Sequence, residues 1–287
     1  MPELPEVETI RRWLLGSGDA SAAQLHQRSG RDRPAIVGQG ILAAHLFWER
    51  TLAAPGADEF RKRAAHQTIR DITRRGKFLI LHLDRDALLF HLRMSGDLLV
   101  EDISLPLAPH HRLVLDLEGG LRLAFNDPRK FGRAWLVTDP QSILAHLGPE
   151  PLDESFTEEQ FYALLHSRRR QLKPLLMDQS FIAGLGNIYT DEALHLARLH
   201  PLLIADTLDQ GQATRLLQSI RQVLAEGIRR QGASIDWVYR GGDFQNHFRV
   251  YQRTGDPCPN CSTPIQRIIV GQRGTHFCST CQKLEGG

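Results

Sequence analysis

The sequence predicts an α+β protein of two domains, a β-rich N-terminal domain and a helical C-terminal domain that ends in a small metal-built ribbon. Three observations carry this prediction. Short apolar runs divided by turn residues fill residues 78–137, the apolar spacing turns helical from residue 156, and all four cysteines lie among the last thirty residues. Gly148-Pro149-Glu150-Pro151 punctuates the chain between the first two patterns, which puts a boundary near residue 145. The expected partition is 1–145, 150–245 and 249–283.

At the start of the chain Pro5 suits a first helical turn, and Val7, Ile10, Trp13 and Leu14 form the apolar stripe of a short helix. Glu6 and Glu8 favour its positive end. Residues 17–58 show no legible pattern. From Lys77 onward, apolar runs at 78–83, 88–92, 98–100, 113–117, 121–125 and 134–137 alternate with turns such as Asp84-Arg85-Asp86 and Glu118-Gly119-Gly120. They read as an antiparallel sandwich or a flattened barrel. Helical spacing then marks residues 156–165, 172–178, 188–199 and 208–227. Between the second and third of these, a glycine-containing turn at 179–188 exposes the amides of a helix N-terminus, which attract phosphate, with Lys173 one short helix upstream. Taken alone, glycines in such a place are more often simple chain reversals.

The cysteines occur as Cys258-x2-Cys261 and Cys278-x2-Cys281, sixteen residues apart, the spacing of a four-thiolate zinc ribbon. Two disulfides are the alternative; the N-terminus shows no signal-peptide pattern, and a chain of 287 residues has no need of such staples. Four thiolates close the coordination sphere, so one structural zinc ion is expected and the metal is not the catalyst. No apolar run approaches a membrane span, and the expectation is a soluble cytoplasmic protein. A net charge of +2 is too small to announce a nucleic-acid partner by itself; the distribution says more, since only five of 35 basic residues are lysine and the arginines cluster, as in Arg74-Arg75-Gly76-Lys77 and Arg168-Arg169-Arg170.

The N-terminus holds the other chemical signal. Removal of the initiator would leave Pro2 with a secondary amine, a nucleophile toward a sugar aldehyde carbon, and an α-amine titrates near neutrality. Glu3 would then exchange protons beside it and Glu6 would orient the amine. The plainer reading of Met1-Pro2-Glu3 is a frayed end leading into a helix.

Four motifs stand in a fixed order: Met1-Pro2-Glu3-Leu4-Pro5-Glu6-Val7-Glu8-Thr9, Asp127-Pro128-Arg129-Lys130-Phe131-Gly132, Gly184-Leu185-Gly186-Asn187-Ile188-Tyr189 and the cysteine ribbon. In this order the chain resembles the bacterial formamidopyrimidine-DNA glycosylase family, and it is less similar to that family's endonuclease VIII relatives. The resemblance implies an N-terminal β-sandwich with flanking helices, and a helix-two-turn-helix domain followed by the zinc ribbon. It also implies a bacterial, cytoplasmic monomer that acts on double-stranded DNA carrying oxidised bases, excising oxidised purines and cleaving the abasic site by β,δ-elimination.

Residue by residue, the resemblance implies Pro2 as nucleophile, Glu3 as the acid, Glu6 in support, Lys77 for the first elimination and Arg273 for the second. Met94, Arg129 and Phe131 would fill the space left by an everted base, and His110, Arg129, Arg168, Lys173 and Asn187 would contact DNA. Residues 234–245 resemble a loop that closes over the everted base, bulkier here than expected, and residues 16–58 read as holding an inserted loop. A retained Met1 would acylate Pro2 and block the nucleophile. Two alternatives stay open: a glycosylase of endonuclease VIII type for oxidised pyrimidines, and a non-catalytic zinc-ribbon DNA-binding protein.

Overall fold

The computed structural model describes residues 1–16, 35–234 and 242–284. It divides into two compact units, Met1–Ala145 with Gln231–Gly242, and His146–Arg230 with Asp243–Gly287.

In the first unit, helix α1 (Leu4–Leu14) precedes two packed sheets. One sheet has four antiparallel strands in the order β1 (Ile41–Leu46), β7 (His111–Leu117), β8 (Leu121–Asn126), β6 (Asp97–Asp102). The other has five, ordered β2 (Leu52–Ala54), β9 (Arg133–Val137), β5 (Ala87–His91), β4 (Phe78–His82), β3 (Asp71–Arg75). Their facing side chains form one core in which the Phe90 and Phe125 rings meet edge to face at 5.3 Å. Strand β4 reads as an unbroken apolar run because α1 packs on β3 and β4, covering the face that solvent would otherwise wet.

The sandwich expectation therefore holds, with corrections. Strand β2 runs parallel to β9, so the second sheet is mixed. Strands β1, β2 and β3 and helix α2 (Ala57–Ala64) were not legible; within the region 16–58, read as holding an inserted loop, residues 41–58 form β1, β2 and the start of α2. Residues 17–34 lie outside the described residues.

The second unit contains α3 in neither its core nor its site; α3 (Gln141–Leu144) closes the first unit instead. Its helices are α4 (Glu158–His166), α5 (Leu172–Leu176), α6 (Asn187–Ala197) and α7 (Gln210–Arg229), close to the spans expected from the spacing. Helices α4 and α7 open with capping boxes from Thr157 and Asp209. Gly227 lets α7 approach α6, because a Cβ there would lie 2.5 Å from the buried Tyr189 ring. The ribbon follows, with hairpin β10 (Gln266–Val270) and β11 (Arg273–Phe277). Among the described residues no helix is long and apolar enough to cross a membrane.

Candidate active site and metal centre

Pro2 is buried at the foot of α1, beside Glu3 and Glu6, each 2% exposed. Glu3 caps the helix, and its backbone N–H donates to Glu6 Oε2 at 2.7 Å. The other oxygen of Glu6 accepts from the N–H of Ala233 at 2.8 Å. One carboxylate thus fastens the first residues of the chain to the segment 231–234. Gly232 permits the approach: its φ is +78°, and a Cβ would meet Glu6 Oε1 at 2.6 Å. Ser234 closes the same segment, its hydroxyl donating to Gly242 O and accepting from Gly242 N. The body of the expected closing loop, 235–241, lies outside the described residues.

Lys77 is 4% exposed in the two-residue turn between β3 and β4. Gly76 takes φ +55° at the first turn position, the conformation that a tight hairpin demands. Arg74 braces this turn, donating to Gly76 O at 3.1 Å and to Glu8 on α1 at 3.3 Å. Burial draws the Glu8 pKa upward, but hydrogen bonds from Arg11 and Arg12, with the charges of Arg11 and Arg74, outweigh it and hold the carboxyl below its ordinary value. Glu8 and Arg74 thereby join the helix of Pro2 and Glu3 to the turn of Lys77. Sequence reasoning saw them only as helix-end and cluster charges. Nearby, burial and then the charges of Arg93 and Lys77 press His91 down to about 3, so it is neutral at pH 7.

Met94, half-buried, and the exposed Arg129 and Phe131 sit on two neighbouring turns. The guanidinium of Arg129 lies 5.1 Å from the Phe131 ring centroid. Asp127, fully buried and missed as a site residue, ties the turns together. It accepts from the hydroxyl of Ser95 next to Met94, from Arg129 N at 3.2 Å and from Gly132 N at 2.7 Å. His110 is exposed beside them; its carbonyl accepts from Asp127 N, and its ring meets Arg112 at 3.2 Å.

In the second unit, Asn187 begins α6 and its amide donates to Gly274 O at 3.1 Å. That bond reaches the hairpin of Arg273, which is exposed just after the turn Gly271-Gln272, where both φ angles are positive. Lys173, expected in a phosphate clamp, is 0% exposed. Its Nζ donates to Asp191 Oδ1 at 2.5 Å and to Asn187 O at 3.0 Å. Lys173, Asn187 and the Arg273 hairpin are therefore assembled together. Arg168 stands apart on the exposed turn after α4.

Asp191 Oδ2 also accepts from His276 N at 2.9 Å, and Glu192, fully buried, accepts three backbone N–H groups from residues 249–251 at 2.8–2.9 Å. Burial raises the Glu192 pKa against the pull of those three donors.

The four cysteine sulfurs lie within 4.8 Å of one another. A tetrahedral zinc ion with Zn–S bonds of ~2.3 Å sets sulfurs about 3.8 Å apart, and the sulfur pairs at 3.9, 3.4 and 3.4 Å match this within small adjustments. The cysteines are free of disulfides, Cys258 and Cys278 are buried, and the donor set is all sulfur. One structural zinc ion fits.

The chain matches the sequence models of the formamidopyrimidine-DNA glycosylase N-terminal domain over residues 1–134, its H2TH domain over 147–238, and the zinc finger found in FPG and IleRS over 255–284. A formamidopyrimidine-DNA glycosylase from Protochlamydia amoebophila is 41% identical over 292 residues, spanning 99% of this chain and 100% of its own. One from Chloroflexus aurantiacus is 46% identical over 291 residues, spanning 98% of each. Among solved structures, a Lactococcus lactis relative bound to Fapy-dG-containing DNA superposes with TM-score 0.84 at 36% identity, over 98% of this chain and 100% of that one.

Proposed function

Because the chain belongs to the formamidopyrimidine-DNA glycosylase family, we propose that it removes oxidised purines from double-stranded DNA through a covalent imine at its N-terminus and then cuts the strand at the abasic site. The observation that carries the mechanistic part is the pair of fastenings on α1. Glu6 holds the start of the chain, and Glu8 with Arg74 joins that helix to the turn of Lys77.

With Met1 removed, Pro2 presents a secondary amine that attacks the anomeric carbon of the everted nucleotide. The glycosidic bond breaks, the base leaves with a proton, and Glu3 supplies the proton that opens the sugar ring. The resulting iminium draws electrons from the neighbouring carbon, so a proton there becomes acidic and the 3′ and then the 5′ phosphate departs. Lys77 serves the first elimination and Arg273 the second, the latter also gripping phosphate. Arg129 and Phe131, with Met94, occupy the vacated stack, and Asp127 keeps their turns in register. His110, Arg168 and Asn187 contact the backbone, while the buried Lys173 acts through Asn187. The zinc ion, when bound, fixes the ribbon that presents Arg273 and supplies no chemistry to the sugar. The protein works as a monomer.

Borohydride reduction during turnover of a duplex with 8-oxoguanine opposite cytosine tests this reading. Wild-type protein is expected to give a covalent protein–DNA adduct. Protein retaining Met1 gives none, and Pro2→Gly, whose primary amine can still condense with the sugar, cleaves the strand far more slowly; both still bind the duplex within a few-fold. Absence of an adduct from active wild type sinks the imine. Faster excision of thymine glycol than of 8-oxoguanine would reassign the substrate to oxidised pyrimidines.

A further inference from the structure

Helix α6 carries a histidine that the DNA chemistry does not use. His195 is fully buried on α6, its Nε2 is 3.4 Å from Cys258 Sγ, and its Nδ1 has no hydrogen-bond partner among the described residues. We propose that His195 is an outer-shell donor of the metal centre: Nε2–H hydrogen-bonds to the zinc-bound thiolate of Cys258 and slows loss of the metal.

The tautomer follows from the two nitrogens. A neutral imidazole carries one N–H. On Nδ1 it would be a buried donor with no acceptor, and the lone pair of Nε2 would face an anionic sulfur. On Nε2 it meets that sulfur and leaves unfilled only a lone pair, the lesser omission.

Charge gives the contact its purpose. Four thiolates around one Zn²⁺ leave two negative charges, and Cys258 and Cys278 are 2% and 0% exposed, so water does little to spread that charge. Part of the compensation is local, from Asn260 N to Cys258 and Cys281 N to Cys278, both at 3.5 Å. His195 adds a side-chain donor from 63 residues earlier in the chain. A donor on the sulfur withdraws part of the negative charge that burial leaves uncompensated, which favours the intact metal cluster over the stripped one. Asp191 and Glu192, on the same helix, bind His276 and residues 249–251. Through His195 the grip of α6 extends to the metal itself. This inference rests on the cysteine centre and stands apart from the glycosylase reading.

The test uses zinc-loaded full-length protein mixed with a chromogenic chelator. His195→Phe fills the space without a donor, and His195→Gln keeps an amide donor. The Phe variant is expected to release zinc on the order of tenfold faster than wild type, with Gln between them. Release from the Phe variant at the wild-type rate overturns the proposal. Equally fast release from both variants also overturns it, by assigning the effect to packing. Nitrogen-15 NMR of the cadmium-113-substituted wild type provides a check that needs no variant: it should find the proton on Nε2 with coupling to cadmium, and a proton on Nδ1 refutes the assignment.

Discussion

Asp191→Asn strands a buried cation, and the size of the penalty follows from what surrounds it. Lys173 and Asp191 have fully buried side chains, with Nζ 2.5 Å from Oδ1, while Oδ2 accepts His276 N. An asparagine of the same shape keeps one oxygen for these two donors and turns an N–H toward the other. Removing one partner of a buried ion pair costs about 3–5 kcal/mol, and an unmet buried N–H about 1–3 kcal/mol. The two overlap, so roughly 4 kcal/mol is expected, close to a thousandfold in the folding equilibrium. In zinc-saturated buffer, urea unfolding followed by circular dichroism at 222 nm reads helices α4–α7. With a slope of about 1–3 kcal/mol per molar, the midpoint should fall by more than about 1 M. Adding Lys173→Met removes the stranded charge and should restore half or more of the loss. A loss below about 1 kcal/mol, or a double variant no more stable than Asp191→Asn, refutes the ion-pair reasoning. The same Lys173→Met protein separates two roles in DNA binding. A direct phosphate contact lowers the salt slope by about 1, whereas action through Asn187 leaves the slope unchanged.

Three further outcomes are expected. The folded Glu8 pKa lies below its ordinary 4.5, so its stabilisation is present above that value and disappears as pH falls through the folded pKa. The stability gap between wild type and Glu8→Gln, measured by chemical denaturation, should be wide at pH 7 and narrow progressively as the pH is lowered beneath 4.5; a gap that does not change with acidification contradicts the assignment. Cys258→Ser should lose zinc, read by metal analysis, and weaken DNA binding by unfixing Arg273; unchanged affinity in metal-free protein contradicts the proposed role of the ribbon. Gly132→Ala places a methyl 2.4 Å from Phe125 Cζ and 3.1 Å from Asp127 Oδ2. Because Phe125 is fully buried, a loss of about 1–3 kcal/mol is expected in thermal unfolding, together with weaker binding to an abasic-site duplex.

What was legible in the sequence was whatever is fixed by neighbours along the chain. The cysteine spacing specified the ribbon, and apolar periodicity found six strands and the four helices of the second unit close to their observed limits. Strand β1 escaped because a bulge between Ile41 and Ala43 breaks its alternation. Strand β3, Asp71–Arg75, has a single buried apolar residue and exists because the Gly76 turn folds it onto β4. Strand β2 has three residues and pairs in parallel with a strand some eighty positions later. At the site, Glu8, Arg74 and Asp127 were invisible as functional groups, because each acts on a residue far away in sequence or on backbone, and neither leaves a spacing to read.

Helix α6 shows why periodicity finds a helix without finding its purpose. A polar residue on a helix is ordinarily assigned to solvent, yet Asp191, Glu192 and His195 are each no more than 1% exposed. The reason lies in the ribbon's size. Among the described residues its apolar cluster is small, Val250, Cys258, Ile265 and Cys278 with Cys281 partly buried against them, too little to order a module of some thirty residues without a staple. The metal supplies one staple. The charged face of α6 supplies another, through backbone and side-chain bonds that an apolar face of equal area would not aim so specifically. The helix that opens with Asn187 thus holds the hairpin of Arg273 at its first turn and the zinc knuckle at its third, so that loss of either staple loosens the same hairpin.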